Sequence, residues 1–233
     1  MPDQQTTQLP VSPSAVPRRR GANTVAVLIS GVLLGLFGVL GAGLVGISHD
    51  GTAERIAANQ REALLQQLRV LVPADAIDND MLSDVTEVAA PEQFGAPLTR
   101  VYRGRRAGQP VAVVLSPVVT QGYSGSIALI VAILADGRLA GVRVLAHHET
   151  PGLGDKIEIE RTDWVLGFDG RALGDPPLSA WKVKRDGGVF DQFTGATVTP
   201  RAVVRGVKGA LEYFNEHAEQ LFAAPAIEEA AHG

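Results

Sequence analysis

The chain has 233 residues, 45% of them hydrophobic, enough for one folded domain plus a membrane segment. It contains no cysteine, which excludes disulfides, thiolate-held iron–sulfur clusters, c-type haem attachment and cysteine nucleophiles. The formal net charge is −4; residues 1–48 carry +2 (Asp3 against Arg18, Arg19 and Arg20), so residues 49–233 carry −6, a balance that argues against nucleic-acid binding.

Residues 1–23 are polar and rich in proline, and are expected to be a disordered cytoplasmic tail. Thr24 to Ile47 then runs without a charge. As a helix it is about 36 Å long, enough to cross a hydrocarbon core of about 30 Å. Arg18 to Arg20 precede it, so the N-terminus should stay in the cytoplasm and the rest of the chain should face outward. A cleaved signal peptide is the rival, but its apolar region is shorter and Gly46-Ile47-Ser48-His49 is a poor cleavage site. Gly31-x-x-x-Gly35 suits close packing on another membrane helix.

Residues 48–83 read as a helical stalk or linker. Within them, Thr52 to Val72 is amphipathic through Ile56, Leu64, Leu68 and Leu71 and is stopped by Pro73; it is either a stalk or the first helix of the domain. Residues 84–222 form the expected outer domain. Short strands are expected at Asp84–Val88, Thr99–Tyr102 and Val111–Leu115, with a turn over Gly104–Gly108. Ile127–Leu134 and Leu139–Leu145 flank Asp136-Gly137, a strong hairpin signal. Residues 147–155 read as loop, Lys156–Phe168 as a short helix, and 180–193 as a strand or hairpin. Val203, Val207, Leu211, Phe214, Ala218 and Leu221 mark one face of a helix from Pro200 to about Phe222, and residues 223–233 a flexible tail. Hairpins with helices at the ends imply an α+β domain around a mostly antiparallel sheet. Trp164 and Trp181 are expected in its core; Lys182, Lys184 and Arg185 suit a solvated strand edge.

The most informative segment is Asp191-Gln-Phe-Thr194-Gly195-Ala196-Thr197-Val198-Thr199, directly before that helix. It puts three hydroxyls on a small-residue turn. Thr199 suits the N-cap and Pro200 the first helical position. A helix N-terminus with unpaired N–H groups can hold an anion such as a phosphate, here at Val198 to Arg201, with the Arg201 side chain near by; the plain alternative is a capped loop.

Two other clusters invite chemistry. Gly122-Tyr123-Ser124-Gly125-Ser126 approaches a nucleophile elbow but has serine where the second glycine belongs. His147-His148-Glu149 has two acid–base groups and a carboxylate, but neighbouring strand residues face opposite ways and no further ligand stands at metal-site spacing. Neither a catalytic residue nor a metal site is expected.

Asp191-x-x-Thr194-Gly195-Ala196-Thr197 resembles the flavin-attachment motif D-x-x-[S/T]-G-A-T of membrane redox complexes. His147 to Glu158 is similar to the H-x-E-T-P-G-L-G-x-K-I-E signature of the RnfG subunit of the Rnf electron transport complex, and Trp181 to Gly188 is also similar to that family. The resemblance covers roughly residues 25 to 215. It implies an extracytoplasmic FMN-binding domain of a bacterial inner-membrane complex, with FMN joined covalently to Thr197 through a phosphoester. It further implies a flavin transferase that supplies FMN from FAD and reads Asp191. It implies FMN contacts from Ser124, Gly125, Glu149, Thr150, Leu153, Thr194, Gly195, Ala196, Val198 and Thr199.

The function this implies is an electron-relaying subunit of a ferredoxin- and NAD-linked, ion-translocating complex, with other membrane subunits as partners and no turnover alone. The chain has no dinucleotide-binding glycine fingerprint. The alternatives are the anchored subunit with the same attachment motif in a sodium-pumping NADH:quinone oxidoreductase, a non-redox anchored scaffold, and a hydrolase built on Ser124.

Overall fold

The computed structural model describes residues 20–227, so the expected tail with Arg18 and Arg19, and residues 228–233, lie outside it. Two compact units divide the chain, residues 1–59 and 60–233. Helix α1 (Arg20–Leu71) contributes to both.

In the first unit, Thr24–Leu44 has a mean hydropathy of 2.5 and contains no buried residue. Its 21 residues span about 32 Å, so by length and composition it can cross a membrane. Leu28, Leu34, Phe37 and Leu44 are all well exposed, so apolar side chains point in several directions round the helix. A helix apolar all round suits lipid better than water.

In the second unit the last turns of α1 bury Leu68 and Leu71; Ile56, expected on the same face, belongs to the first unit and is exposed. The helix stops two residues before Pro73, as the missing proline N–H dictates. The strands are β1 (Val85–Val88), β2 (Thr99–Arg106), β3 (Gln109–Leu115), β4 (Val118–Val119), β5 (Ile127–Leu134) and β6 (Leu139–Ala146), with a one-turn helix α2 (Pro91–Phe94) after β1. They form one antiparallel sheet. β3 and β4 share one edge of β5, and β6 takes the other. The domain is α+β, as expected.

The central strand explains the layering. Ile127, Leu129, Val131 and Ile133 face one way, onto helix α3 (Val198–Ala223) through Val203, Val207, Leu211 and Phe214. Ile130 and Ala132 face the other way, with Val114, Tyr102, Leu68 and Leu71. Alternation along one strand thus feeds two cores. Gly206 lets α3 come close to β4: a Cβ there would lie 2.4 Å from Val119 Cγ2.

Three expectations change. The turn between β2 and β3 is only Ala107-Gly108, both with positive φ, a two-residue hairpin turn of the primed type. Gly104 lies inside β2 at a bulge. Residues 156–168 are not one helix but two 3-10 turns, Asp155–Ile157 and Asp163–Phe168. Thr162 separates them, donating to Lys156 O and accepting from Trp164 N–H. Residues 180–193 make no hairpin. Gly187 takes a left-handed φ of +84° and Gly188 packs so closely on Lys182 that a Cβ would sit 1.8 Å from its carbonyl oxygen. The loop folds back tightly, with 3-10 turns at Leu178–Ala180 and Lys184–Asp186. It closes an aromatic cluster of buried Trp181 with Phe168, Phe190 and Phe193, in which half-buried Trp164 sits edge-on to Phe168 and Phe193.

The far end of α3 is fixed by charges that sequence reading missed. Buried Arg103 donates to the carbonyls of Leu221 and Ala224, and Arg105 to that of Phe222. Asp84 pairs with both arginines, at 2.5 and 2.7 Å. Guanidinium groups satisfy the last carbonyls of a helix and complement its negative end.

Candidate functional site

At its other end, α3 begins at Val198, one position before the expected cap. Thr197 occupies the N-cap position with helical dihedrals and makes no side-chain cap bond. Its backbone carbonyl accepts the N–H of Arg201. Thr199 is therefore not the cap but the second residue of the helix, and Pro200 the third, still within the first turn, where a missing N–H costs little. Within the first turn of the helix, Val198 and Thr199 carry the opening N–H groups, because Pro200 has none and that of Arg201 is used.

The preceding turn is tight. Ala196 N–H donates to Phe193 O at 3.1 Å, and Gly195 has a φ of +82°. Thr194 is not at positive φ, so the turn is type II, which needs glycine at its third position. Thr194 and Gly195 are exposed; Ala196 and Thr197 are half-buried.

Glu149 joins this helix start to two other loops. It is 4% exposed and Thr199 is fully buried. Thr199 Oγ1 donates to Glu149 Oε2 at 2.5 Å, and Ser124 N–H donates to Oε1 at 3.0 Å. Gly122 and Gly154 make room for the carboxylate: a Cβ on Gly122 would lie 2.6 Å from Oε1, and one on Gly154 2.9 Å from Oε2. Segments 122–125, 149–154 and 195–199 thus converge on one acidic side chain. Both its oxygens accept hydrogen bonds within the protein, one each. A hydroxyl held by a carboxylate is a strong, charge-assisted bond.

The surface above this junction is apolar in part. Thr150 accepts N–H donors from Leu153 and Gly154 through its carbonyl, which turns the loop. Leu153 Cδ2 lies 3.6 Å from where a Cβ on Gly195 would be, so it borders the turn. Leu153, Val198 and Tyr123 are all exposed, as are Ser124, Gly125 and Thr150.

The remaining candidates are accounted for locally. His147 Nδ1 accepts Glu149 N–H at 2.9 Å, so the ring proton is on Nε2, which faces Glu158 Oε1 at 2.8 Å. Neither nitrogen is left to activate Ser124. Among the described residues no group of three or more His, Asp or Glu is arranged to hold a metal. Asp191 is exposed; its carboxylate pairs with Lys184 at 2.7 Å and its carbonyl accepts Trp164 Nε1–H. Arg201 makes a two-point pair with Asp186, both contacts at 2.5 Å. That hydrogen bond, first of several causes, holds the Asp186 carboxyl below the usual aspartate range and raises Arg201. Arg201 is therefore held by Asp186 through Nε and Nη2.

Two family descriptions match the chain: an FMN-binding domain over residues 122–212, and the RnfG N-terminal region over residues 23–71. The first spans all three converging segments. Among curated proteins, the RnfG-type subunit of the ion-translocating oxidoreductase complex of Pseudomonas aeruginosa is 50% identical over 199 residues, covering 85% of this chain and 93% of that one. The corresponding subunit of Cereibacter sphaeroides is 47% identical, covering 84% and 88%, and that of Vibrio cholerae 44% identical, covering 86% and 96%. At this identity along most of both lengths, the chain belongs to the RnfG family of ion-translocating oxidoreductase complex subunits, with an FMN-binding domain.

Proposed function

We propose that this chain is the membrane-anchored flavoprotein subunit of a redox-driven, ion-translocating complex of the Rnf type, and that it carries FMN covalently on Thr197. The observation that supports the attachment is the state of Thr197. It stands at the start of α3, between the small residues Gly195 and Ala196 and the exposed Val198, with no side-chain cap bond. Its hydroxyl is not committed to holding the helix, unlike that of Thr199. The helix start also fits a phosphodiester: the N–H of exposed Val198 and the positive end of the helix favour a negative group there.

Each part of the site has its own task. Glu149 fixes the three loops relative to one another. Leu153, Val198 and Tyr123 offer apolar surface for a flat ring, with Ser124, Gly125, Thr150 and Thr194 as polar neighbours. FMN, when bound, accepts and donates electrons singly or in pairs. A non-covalent FMN is easily lost to a dilute outer compartment, so a bond to the chain keeps it in place.

The maturation step is an exchange of phosphoesters. The Thr197 oxygen forms a bond to the FMN phosphorus of FAD, the diphosphate P–O bond breaks, and AMP leaves with the electron pair. The hydroxyl proton passes to a base on the flavin transferase. Asp191, exposed before the turn, is the residue the transferase reads. Thr24–Leu44 anchors the chain in the bacterial inner membrane with its N-terminus in the cytoplasm and Thr197 in the periplasm; the other membrane subunits of the complex are its electron-transfer partners. The names of the relatives favour this reading over the corresponding subunit of a sodium-pumping NADH:quinone oxidoreductase.

The test is flavin fluorescence on a denaturing gel of chain co-expressed with a flavin transferase. The wild-type band should glow and the Thr197→Ala band should be dark. A fluorescent Thr197→Ala band removes the assignment.

A further inference from the structure

The start of α3 continues into a charged groove that no part of the proposed flavin site uses. Arg201, Arg205 and Lys208 follow Thr197 at spacings of four, four and three, so they run along one side of the helix. They face the 180s loop across a groove of about 430 Å³ floored by Trp181, Val183 and Val204, with Lys182 and Asp186 on its far wall. Asp186 holds Arg201, and Glu212 holds Lys208 at 3.2 Å. Lys182 and Arg205 are exposed and make no ion pair among the described residues.

The charge is concentrated against the trend of the protein. Residues 181–210 contain six basic side chains (Lys182, Lys184, Arg185, Arg201, Arg205, Lys208) and two acidic ones (Asp186, Asp191), a sum of +4. Residues 49–233 carry −6, so everything else in that stretch carries −10. A positive surface on an otherwise acidic protein selects an acidic partner.

Its position limits the partner. A protein that works on Thr197 covers about 800 Å² around it, a disc of about 16 Å radius. Arg205 lies eight residues along α3, about 12 Å from Thr197. A footprint of that size centred on Thr197 reaches Arg205. We propose that the groove lined by Lys182, Arg201 and Arg205 is the docking surface for an acidic face of the flavin transferase, guiding its active site onto Thr197. This rests on Thr197 being the FMN acceptor. Arg201 is pre-set by Asp186, while Lys182 and Arg205 supply the charges still to be matched.

The experiment measures transfer kinetics with the full chain in detergent, purified transferase and FAD, scored by gel fluorescence. The chain variants are Lys182→Glu/Arg205→Glu, the milder Lys182→Gln/Arg205→Gln, and Arg138→Glu in the β5–β6 turn, outside the groove lining, as a control. Reversing both charges should raise the KM for the chain by about tenfold or more with kcat little changed, because rim charges act mainly on encounter. The neutral pair should give a smaller rise, and the control none. Raising salt from low to physiological strength should slow the wild type and not the reversed variant. All variants should load fully at high transferase, which shows that they are folded. An unchanged KM with normal wild-type loading overturns the docking proposal and leaves Thr197 as acceptor. An unchanged KM with lost binding to anionic lipid vesicles assigns the groove to a membrane surface, and also overturns it. Wild-type chain that takes up no FMN overturns the acceptor reading and the docking proposal together.

Discussion

Thr199→Val isolates the bond that ties α3 to the Glu149 junction. Valine keeps the shape and β-branching of threonine and replaces the hydroxyl with a methyl. Both partners are buried, at 0% and 4% exposure, so water cannot replace the donor. A hydrogen bond to a charged group is worth about 1.5–3 kcal/mol, and the carboxylate keeps one bond, from Ser124 N–H. The expected loss is about 2–3 kcal/mol. For a unit of the size of Gln60–Gly233, this lowers Tm by roughly 4–12 °C. The assay is thermal unfolding of the full chain in detergent, followed by circular dichroism. Thr197→Val is the internal comparison. It changes a hydroxyl two residues away that makes no cap bond, so it should cost less than about 0.5 kcal/mol. Thr199→Val melting within about 1 °C of wild type would refute the reasoning. So would equal losses in the two variants, since then the helix start and not the Glu149 contact would carry the effect.

Other outcomes follow from the same geometry. Gly188→Ala brings a Cβ against the Lys182 carbonyl, and should lower Tm by more than about 6 °C; a smaller drop would show that the 180s loop gives way easily. Asp191→Ala should slow FMN loading under limiting transferase while leaving Tm within about 2 °C, because its carboxylate is engaged only in an exposed pair with Lys184 among the described residues; loading at the wild-type rate would remove its recognition role. The depressed Asp186 carboxyl means that its pair with Arg201 contributes fully above the ordinary aspartate value of 3.8 and is lost as pH falls through a lower folded value. Carbon-13 NMR of that carboxyl should titrate below 3.8, and a midpoint above it would contradict the two-point contact. Single cysteines at Ser12 and Ala226 test orientation. An impermeant thiol reagent on cells with a permeabilised outer membrane should label only position 226, and the reverse pattern would contradict a periplasmic Thr197.

The parts of the fold set by long hydrophobic patterns were legible. The apolar run from Thr24, the paired strands around Asp136-Gly137, and α3 each repeat one signal over many residues, so local errors average out. Segments decided by one close approach were not. Nothing in the order Trp181-Lys-Val-Lys-Arg-Asp-Gly-Gly says that Gly188 will press on the backbone of Lys182, which turns an expected hairpin into 3-10 turns. The site divides in the same way. Thr197 and the small-residue turn before it were visible in the T-G-A-T motif. The role of Thr199 was not, because cap preference pointed to the residue before Pro200, while a carboxylate fifty residues away draws that hydroxyl into the core. Arg103, Arg105 and Asp84 were likewise unreadable, since the arginines' partners include helix carbonyls more than a hundred residues on. Gly122 and Gly154 are the residues whose purpose only the structure explains: each leaves space for one oxygen of Glu149.

The central claim is that Thr197, and no neighbouring hydroxyl, carries FMN. Cleavage after Arg185 and Arg201 releases the peptide Asp186–Arg201, which contains Thr194, Thr197 and Thr199. Tandem mass spectrometry of that peptide, from chain matured with a flavin transferase, should show the mass of FMN less one water on fragments that contain Thr197. Fragments ending at Ala196 and those starting at Val198 should be unmodified. An unmodified peptide, or FMN on Thr194 or Thr199, would contradict the account.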